Sequence, residues 1–124
     1  MPALVPPWNR IAPDLVAALP SLGFGGLSIY GPRRAALPVP GLRQVNTHLD
    51  LVAWREGARA FELPELLAQL ARLVEAGTAE PIGILSHHLV MDGTAFATLD
   101  RLLALVLDHR RAKLVDARLL FGED

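Results

Sequence analysis

Apolar and polar residues alternate along this chain with two periods, and their order predicts an α/β domain. Short apolar runs at residues 3–5, 26–31 and 81–86 end in proline, glycine or polar residues, as buried strands do. Segment 43–54 alternates apolar with polar positions, which predicts one strand carrying polar groups on one face. The predicted order is strand, helix, strand, strand, helix, strand, helix, which favours a mostly parallel sheet.

Three helices are predicted from the helical period and from residues typical of helix ends. The first begins at Pro13 and stops at Gly23, the second begins at Pro64 and stops near Gly77, and Asp92 caps the third. The residues expected to face inward are Leu66, Leu67, Leu70, Leu73 and Val74 in the second helix and Phe96, Leu99, Leu102, Leu103 and Val106 in the third.

Composition narrows the class of protein. A chain of 124 residues predicts a single domain over residues 1–124. No apolar run approaches the ~18 residues that span a bilayer, and no secretory signal is visible, so a cytoplasmic, non-membrane protein is expected. A net charge of −1 argues against a nucleic-acid partner. The absence of cysteine excludes disulfides and thiolate metal sites.

Polar and aromatic residues that follow the predicted strands are the candidates for chemistry. Because parallel strands end at one edge of a sheet, we expect a shared cleft that contains Trp8, Asp50 and His87. Histidine transfers protons near neutral pH, aspartate fixes its tautomer, and arginine keeps an aspartate ionised. The candidate catalytic residues are His87, Asp50 and Arg10, and the candidate substrate-binding residues are Trp8, Asn9, Asn46, His48, Trp54 and His88.

Each candidate also has a structural interpretation. Two histidines that end an apolar strand are often bound only by backbone or water. Trp8 and Trp54 match core or loop-anchoring aromatics, Arg10 alone matches a surface residue, and Asp92 before a glycine matches a helix cap.

Four ordered segments together resemble a known family. They are LVPPWNRI (4–11), GFGGLSIYGPR (23–33), VNTHLDLVAW (45–54) and PIGILSHHLVMD (81–92). In order and spacing they resemble the C-terminal half of bacterial polysaccharide deacetylases, the NodB-homology group, from residue 4 to about residue 107. The resemblance implies a partial (β/α) barrel. It also implies hydrolysis of N- or O-acetyl groups on a carbohydrate, for which the full-length family uses a divalent metal such as zinc.

The resemblance also implies roles for individual residues. His87 matches the general acid that protonates the departing amine, and His88 stands where the family commonly has aspartate. Asp50 and Trp54 match residues that line the active site, as does Trp8. The expected arginine before the two prolines is Val5 here, which leaves Arg10 as the nearest substitute.

Two motifs of that family are absent from the sequence. The first holds a catalytic-base aspartate beside a metal-binding aspartate, and the second is an H-x-x-x-H that supplies two metal ligands. We therefore expect no firmly bound metal in this chain, a truncated barrel and little activity alone. An acetylated carbohydrate is the expected ligand, and a second copy or a separate N-terminal half is the expected protein partner.

Two alternatives remain. HHLVMDG fits the H-H-x-x-x-D-G pattern of coenzyme-A-dependent acyltransferases and condensation domains, with His88 as the base. With 86 residues before the motif and 31 after Gly93, neither lobe of such an enzyme would be complete, so we interpret this match as accidental. The other alternative is a non-catalytic module that pairs with a polypeptide carrying the missing motifs.

Overall fold

The computed structural model describes residues 1–122, which form two compact units. Unit 1 comprises residues 1–48 and 115–122, and unit 2 comprises residues 49–114. Within the described part of the chain, no helix combines the length and the apolar character needed to cross a membrane.

The strands are short and the helices supply most of the regular structure. In chain order, the strands are β1 (Ala3–Leu4), β2 (Gly26–Leu27), β3 (Arg43–Gln44), β4 (Leu49–Asp50), β5 (Val52–Ala53), β6 (Arg59–Ala60) and β7 (Ile84–Leu85). The α-helices are α1 (Pro13–Ala18), α2 (Leu63–Glu75), α3 (Gly93–Asp108) and α4 (Ala117–Phe121). Single 3-10 turns span Pro7–Asn9, Leu19–Leu22 and Trp54–Glu56.

Unit 1 is built on a parallel sheet in the order β1-β2-β3. Its core consists of Leu19, Leu27 and Leu42. As predicted, the first helix begins at Pro13, and its 3-10 extension stops at Gly23, whose φ of 86° is a left-handed conformation that glycine adopts without strain.

Segment 43–54 is not the single strand that its alternation predicts. It is divided among β3, β4 and β5, which belong to three different sheets. In unit 1 the interruption follows from Asn46, whose Oδ1 accepts from the Ile29 N–H at 3.2 Å in place of a backbone carbonyl. Nδ2 of the same residue donates to the Gly31 carbonyl at 2.6 Å, so side-chain hydrogen bonds interrupt the ladder at this point, while the Val45 and Thr47 N–H groups still donate to the carbonyls of Leu27 and Ile29.

Unit 2 combines a parallel strand pair, a hairpin and two helices. β4 pairs with β7 in parallel, and β5 pairs with β6 in an antiparallel hairpin that the sequence pattern did not predict. Its core contains Leu49, Leu51, Val52, Leu66, Met91, Ala95 and Leu102. The protein is thus a mixed α/β structure with mostly parallel strands, and the strands of residues 1–122 form no closed barrel.

The two helices of unit 2 are confirmed with their predicted ends, while part of their predicted inward faces is wrong. Leu66 and Leu102 are buried, but Leu67, Val74 and Phe96 are 37%, 63% and 46% exposed. The helical period predicts a wide apolar stripe on each helix. Each helix packs against few other elements in this unit, so part of that stripe stays exposed.

Side-chain caps stabilise the first turns of both helices. The Asp92 carboxylate accepts from the Ala95 N–H at 2.8 Å, as predicted for an N-cap. At α2, Glu65 accepts from the Glu62 N–H at 2.8 Å within a capping box. Arg59 makes two hydrogen bonds to the Glu65 carboxylate, at 2.9 and 2.8 Å, and these bonds lower the pKa of Glu65 to about 2.

We expect the Asp92→Ala variant to lose about 1 kcal/mol of unfolding free energy, because the Ala95 N–H loses its acceptor. Chemical denaturation measures the loss. Asp100→Ala is the matched control, since Asp100 lies mid-helix on the exposed side of α3, where alanine favours the helix. An equal loss in both variants would contradict the capping role.

We expect Glu65→Gln to destabilise the protein at neutral pH, with a difference from the wild type that shrinks in acid. Glutamine keeps the capping box but loses the ion pair with Arg59. A lowered carboxyl pKa stabilises the fold above its ordinary value of 4.5, and this contribution is lost as the pH falls towards about 2. Denaturation curves at several pH values test this against Glu75→Gln, a control at the last residue of α2 that should show no such loss.

Candidate functional site

The candidate site lies in unit 2, where β4 and β7 end side by side. Asp50 is the last residue of β4 and is paired in register with Leu85, the last residue of β7. His87 follows two residues later, and Trp54 begins the 3-10 turn after β5. Neighbouring parallel strands release their chains at the same edge, which is where sites of α/β proteins gather.

The central contact is a hydrogen bond between Asp50 Oδ1 and His87 Nε2, 3.0 Å long. Both side chains are partly buried, at 19% and 23% exposure respectively, so solvent screens the contact only in part. The same Oδ1 accepts from the Val52 N–H at 2.9 Å, an aspartate turn that fixes the carboxylate at the end of β4.

This pairing selects one tautomer of the His87 ring. An ionised carboxylate only accepts hydrogen bonds, so Nε2 must carry a proton. No hydrogen bond within residues 1–122 involves Nδ1. Nδ1 is therefore the ring nitrogen that remains able to bond to a ligand.

The backbone of His87 is anchored to the core of unit 2 through Met91. The His87 N–H donates to the Met91 sulfur at 3.4 Å, and the His87 carbonyl accepts from the N–H groups of Val90 and Met91 at 2.9 and 3.0 Å. Met91 itself is 8% exposed and belongs to the buried cluster. The turn that presents the imidazole is thus fixed at both its backbone and its side chain.

An open cleft of about 320 Å³ lies beside the imidazole. Trp54 forms part of its wall, and its ring meets the His87 ring edge to face, with centroids 4.8 Å apart and planes at 86°. Trp54 is 48% exposed, which leaves aromatic surface open to a ligand. The lining residues are Trp54, Ser86, His87, His88, Leu89 and Val90.

The structure thus brings together four of the sequence-predicted site residues: Asp50, Trp54, His87 and His88. The lining residues Ser86, Leu89 and Val90 and the anchor Met91 were not among the predicted site residues. In the sequence, only their position near His87 and His88, around the segment between the predicted strand 81–86 and the helix cap Asp92, indicates a role for them.

The other predicted site residues lie in unit 1. Trp8 is 88% exposed in a left-handed conformation (φ 58°), followed by Asn9 (φ 53°) and the exposed Arg10. Left-handed backbone is strained for tryptophan, whereas asparagine tolerates it. The predicted role of Arg10 beside Asp50 stays a prediction.

Asn46 and His48 are buried side chains, and their predicted role in substrate binding stays a prediction. They are only 2% and 6% exposed. The amide of Asn46 bonds to the backbone and to Gln44 Nε2, at 3.0 Å, so it serves as an internal crosslink.

The donor set in unit 2 does not fit a resident zinc ion. Within residues 1–122, no group of three or more His, Cys, Asp or Glu side chains is placed to hold a metal. Asp50 and His87, two of the candidate donors at the site, are bonded to each other. A zinc site requires at least three protein ligands converging on one point.

Comparison with known proteins adds no assignment: no family model, no curated protein and no solved structure matches the chain.

We expect nitrogen-15 NMR in mildly alkaline buffer to find the His87 proton on Nε2, because the Asp50 carboxylate selects that tautomer. Asp50→Ala should remove the selection and give a mixture of tautomers. His109, which is exposed at the end of α3, is an internal reference whose tautomer should not change in the variant. A His87 proton on Nδ1 in the wild type would contradict the proposed geometry.

Proposed function

We propose that this chain is a polysaccharide deacetylase-like protein that binds acetylated carbohydrate and supplies the proton-donating half of acetyl hydrolysis. The observation that carries the proposal is the Asp50–His87 hydrogen bond at the wall of a cleft that also contains Trp54. Asp50 and Trp54 lie in VNTHLDLVAW and His87 lies in PIGILSHHLVMD, two of the four segments whose order resembles the deacetylase family.

The proposed chemistry uses His87 as a general acid. Hydrolysis of an N-acetyl group forms a bond between the acyl carbon and a water oxygen and breaks the bond between that carbon and nitrogen. The departing nitrogen takes a proton from Nδ1, and Asp50 holds the opposite side of the imidazolium through Nε2. The attacking water loses one proton to solvent, Nδ1 regains a proton from solvent, and acetate and an amine are the products.

A carbohydrate ligand is supported by the exposed face of Trp54. Aromatic rings provide apolar surface that packs against the C–H groups of a sugar, while Ser86 and His88 offer polar groups beside it. Apart from His88, none of the lining residues is a base that could activate water. The chain alone should therefore turn over slowly, as the absence of the first two family motifs also predicts.

We further propose that β4, β7 and the helices α2 and α3 correspond to the last strands and helices of a deacetylase barrel. The parallel pairing of β4 with β7 supports this. A partner, either a second copy or a separate polypeptide with the missing motifs, would then complete the sheet.

The acyltransferase alternative is less well supported by the contacts of its two motif residues. The carboxylate partner in the cleft bonds to His87, not to His88, which that alternative requires as its base. Asp92, the aspartate of the H-H-x-x-x-D-G pattern, is engaged with the Ala95 N–H as a helix cap.

The test measures acetate release from N-acetylglucosamine oligomers at high protein concentration, with binding followed by NMR. We expect slow release by the wild type, and a loss of about 10²–10⁴-fold in His87→Gln, because the general acid is removed. His88→Gln is the matched control and should stay within a few-fold of the wild type.

Two results would contradict the proposal. One is an equal or larger loss in His88→Gln, particularly with acetyl transfer from coenzyme A to an alcohol, which would favour the acyltransferase alternative. The other is an absence of both acetate release and oligomer binding in the wild type.

A further inference from the structure

Two aliphatic side chains beside the imidazole are exposed to solvent in the described structure. Leu89 is 90% exposed and Val90 is 50% exposed, and both line the cleft with His87. We call these two residues the apolar lip. They lie on the turn whose N–H groups at Val90 and Met91 bond to the His87 carbonyl, so the backbone of the lip is held at a fixed position beside the catalytic ring.

With the apolar lip, half of the cleft lining is apolar. Three of the six lining side chains, those of Trp54, Leu89 and Val90, are apolar. Trp54 already provides a surface for a sugar ring, so the two aliphatic groups are available for another part of the ligand. Small-molecule clefts commonly combine apolar walls with a few polar groups that fix orientation, and their volumes start near 300 Å³.

An acetyl group has only one methyl carbon to place against the lip. The cleft, at about 320 Å³, is large enough for a longer substituent. A chain of several methylenes attached to the reacting carbonyl would cover Leu89 and Val90 while the amide nitrogen stays near His87. Removing this aliphatic surface from water favours binding in proportion to the area covered.

We propose that Leu89 and Val90 are specificity-determining residues, and that the cleft binds N-acyl amino sugars whose acyl chain is longer than acetyl. The inference rests on the proposed function for the sugar and the amide. The observation specific to it is the exposed aliphatic pair on the turn that follows His87 and His88.

The test is an NMR titration of the full chain with glucosamine carrying acetyl, butyryl or hexanoyl groups, followed through the methyl signals of Leu89 and Val90. A fully buried methylene strengthens binding about fourfold. Because the cleft is open on one side, we expect about twofold per methylene, or about 16-fold between acetyl and hexanoyl.

Two variants test whether the gain in affinity with chain length depends on the apolar lip or only on the hydrophobicity of the ligand. Leu89→Ser should reduce the gain with chain length to a few-fold, and its high exposure means that the fold does not depend on it. Leu107→Ser is the matched control: Leu107 is 63% exposed on α3 and does not line the cleft, so the gain should persist.

The outcomes distinguish this inference from the proposed function. Equal affinity for the acetyl and hexanoyl sugars would overturn the inference and leave the proposed function standing. Hexanamide without a sugar serves as a further ligand. If it binds as tightly as the hexanoyl sugar and depends on Leu89, the lip is supported and the carbohydrate assignment fails. No binding of any ligand would overturn both.

Discussion

One carboxylate oxygen holds the candidate site together. Oδ1 of Asp50 accepts from the Val52 N–H, which turns the chain from β4 into β5, and it also bonds to His87 Nε2. The turn that begins the hairpin and the orientation of the imidazole therefore share one acceptor. A change that rotates this carboxylate therefore alters the strand connection and the tautomer of the ring together.

The helices were the predictable part of the fold. Their ends are marked by residues whose local preferences suffice, such as Pro13 and Gly77, and by Asp92, which caps α3 through its own side chain. The structure of segment 43–54 could not be predicted in the same way. Alternation indicates that successive side chains point to opposite faces, but it does not indicate that Asn46 is buried or that its amide oxygen accepts one N–H of the backbone ladder.

Part of the candidate site could also be predicted from the sequence and part could not. Asp50 and His87 meet because Asp50 ends β4 and His87 follows the end of its parallel partner β7, which a sequence pattern can indicate through strand order alone. Asn46 and His48 share the alternation of Asp50 but are buried, because the strand is interrupted before β4. The contribution of Met91 depends on a turn geometry in which the residue four positions after His87 returns to its N–H, and the sequence shows no period for such a turn.

The thioether of Met91 also makes the site sensitive to oxidation at a residue other than His87. Oxidation to the sulfoxide would place a polar, chiral group in the apolar cluster that contains Leu49 and Leu66, and it would change the acceptor opposite the His87 N–H. Oxidation of Met91 would thus disturb the position of the imidazole, and with it the proposed proton transfer, without modifying Asp50 or His87. Burial of the sulfur limits the rate of such damage, and a methionine sulfoxide reductase would restore the original side chain.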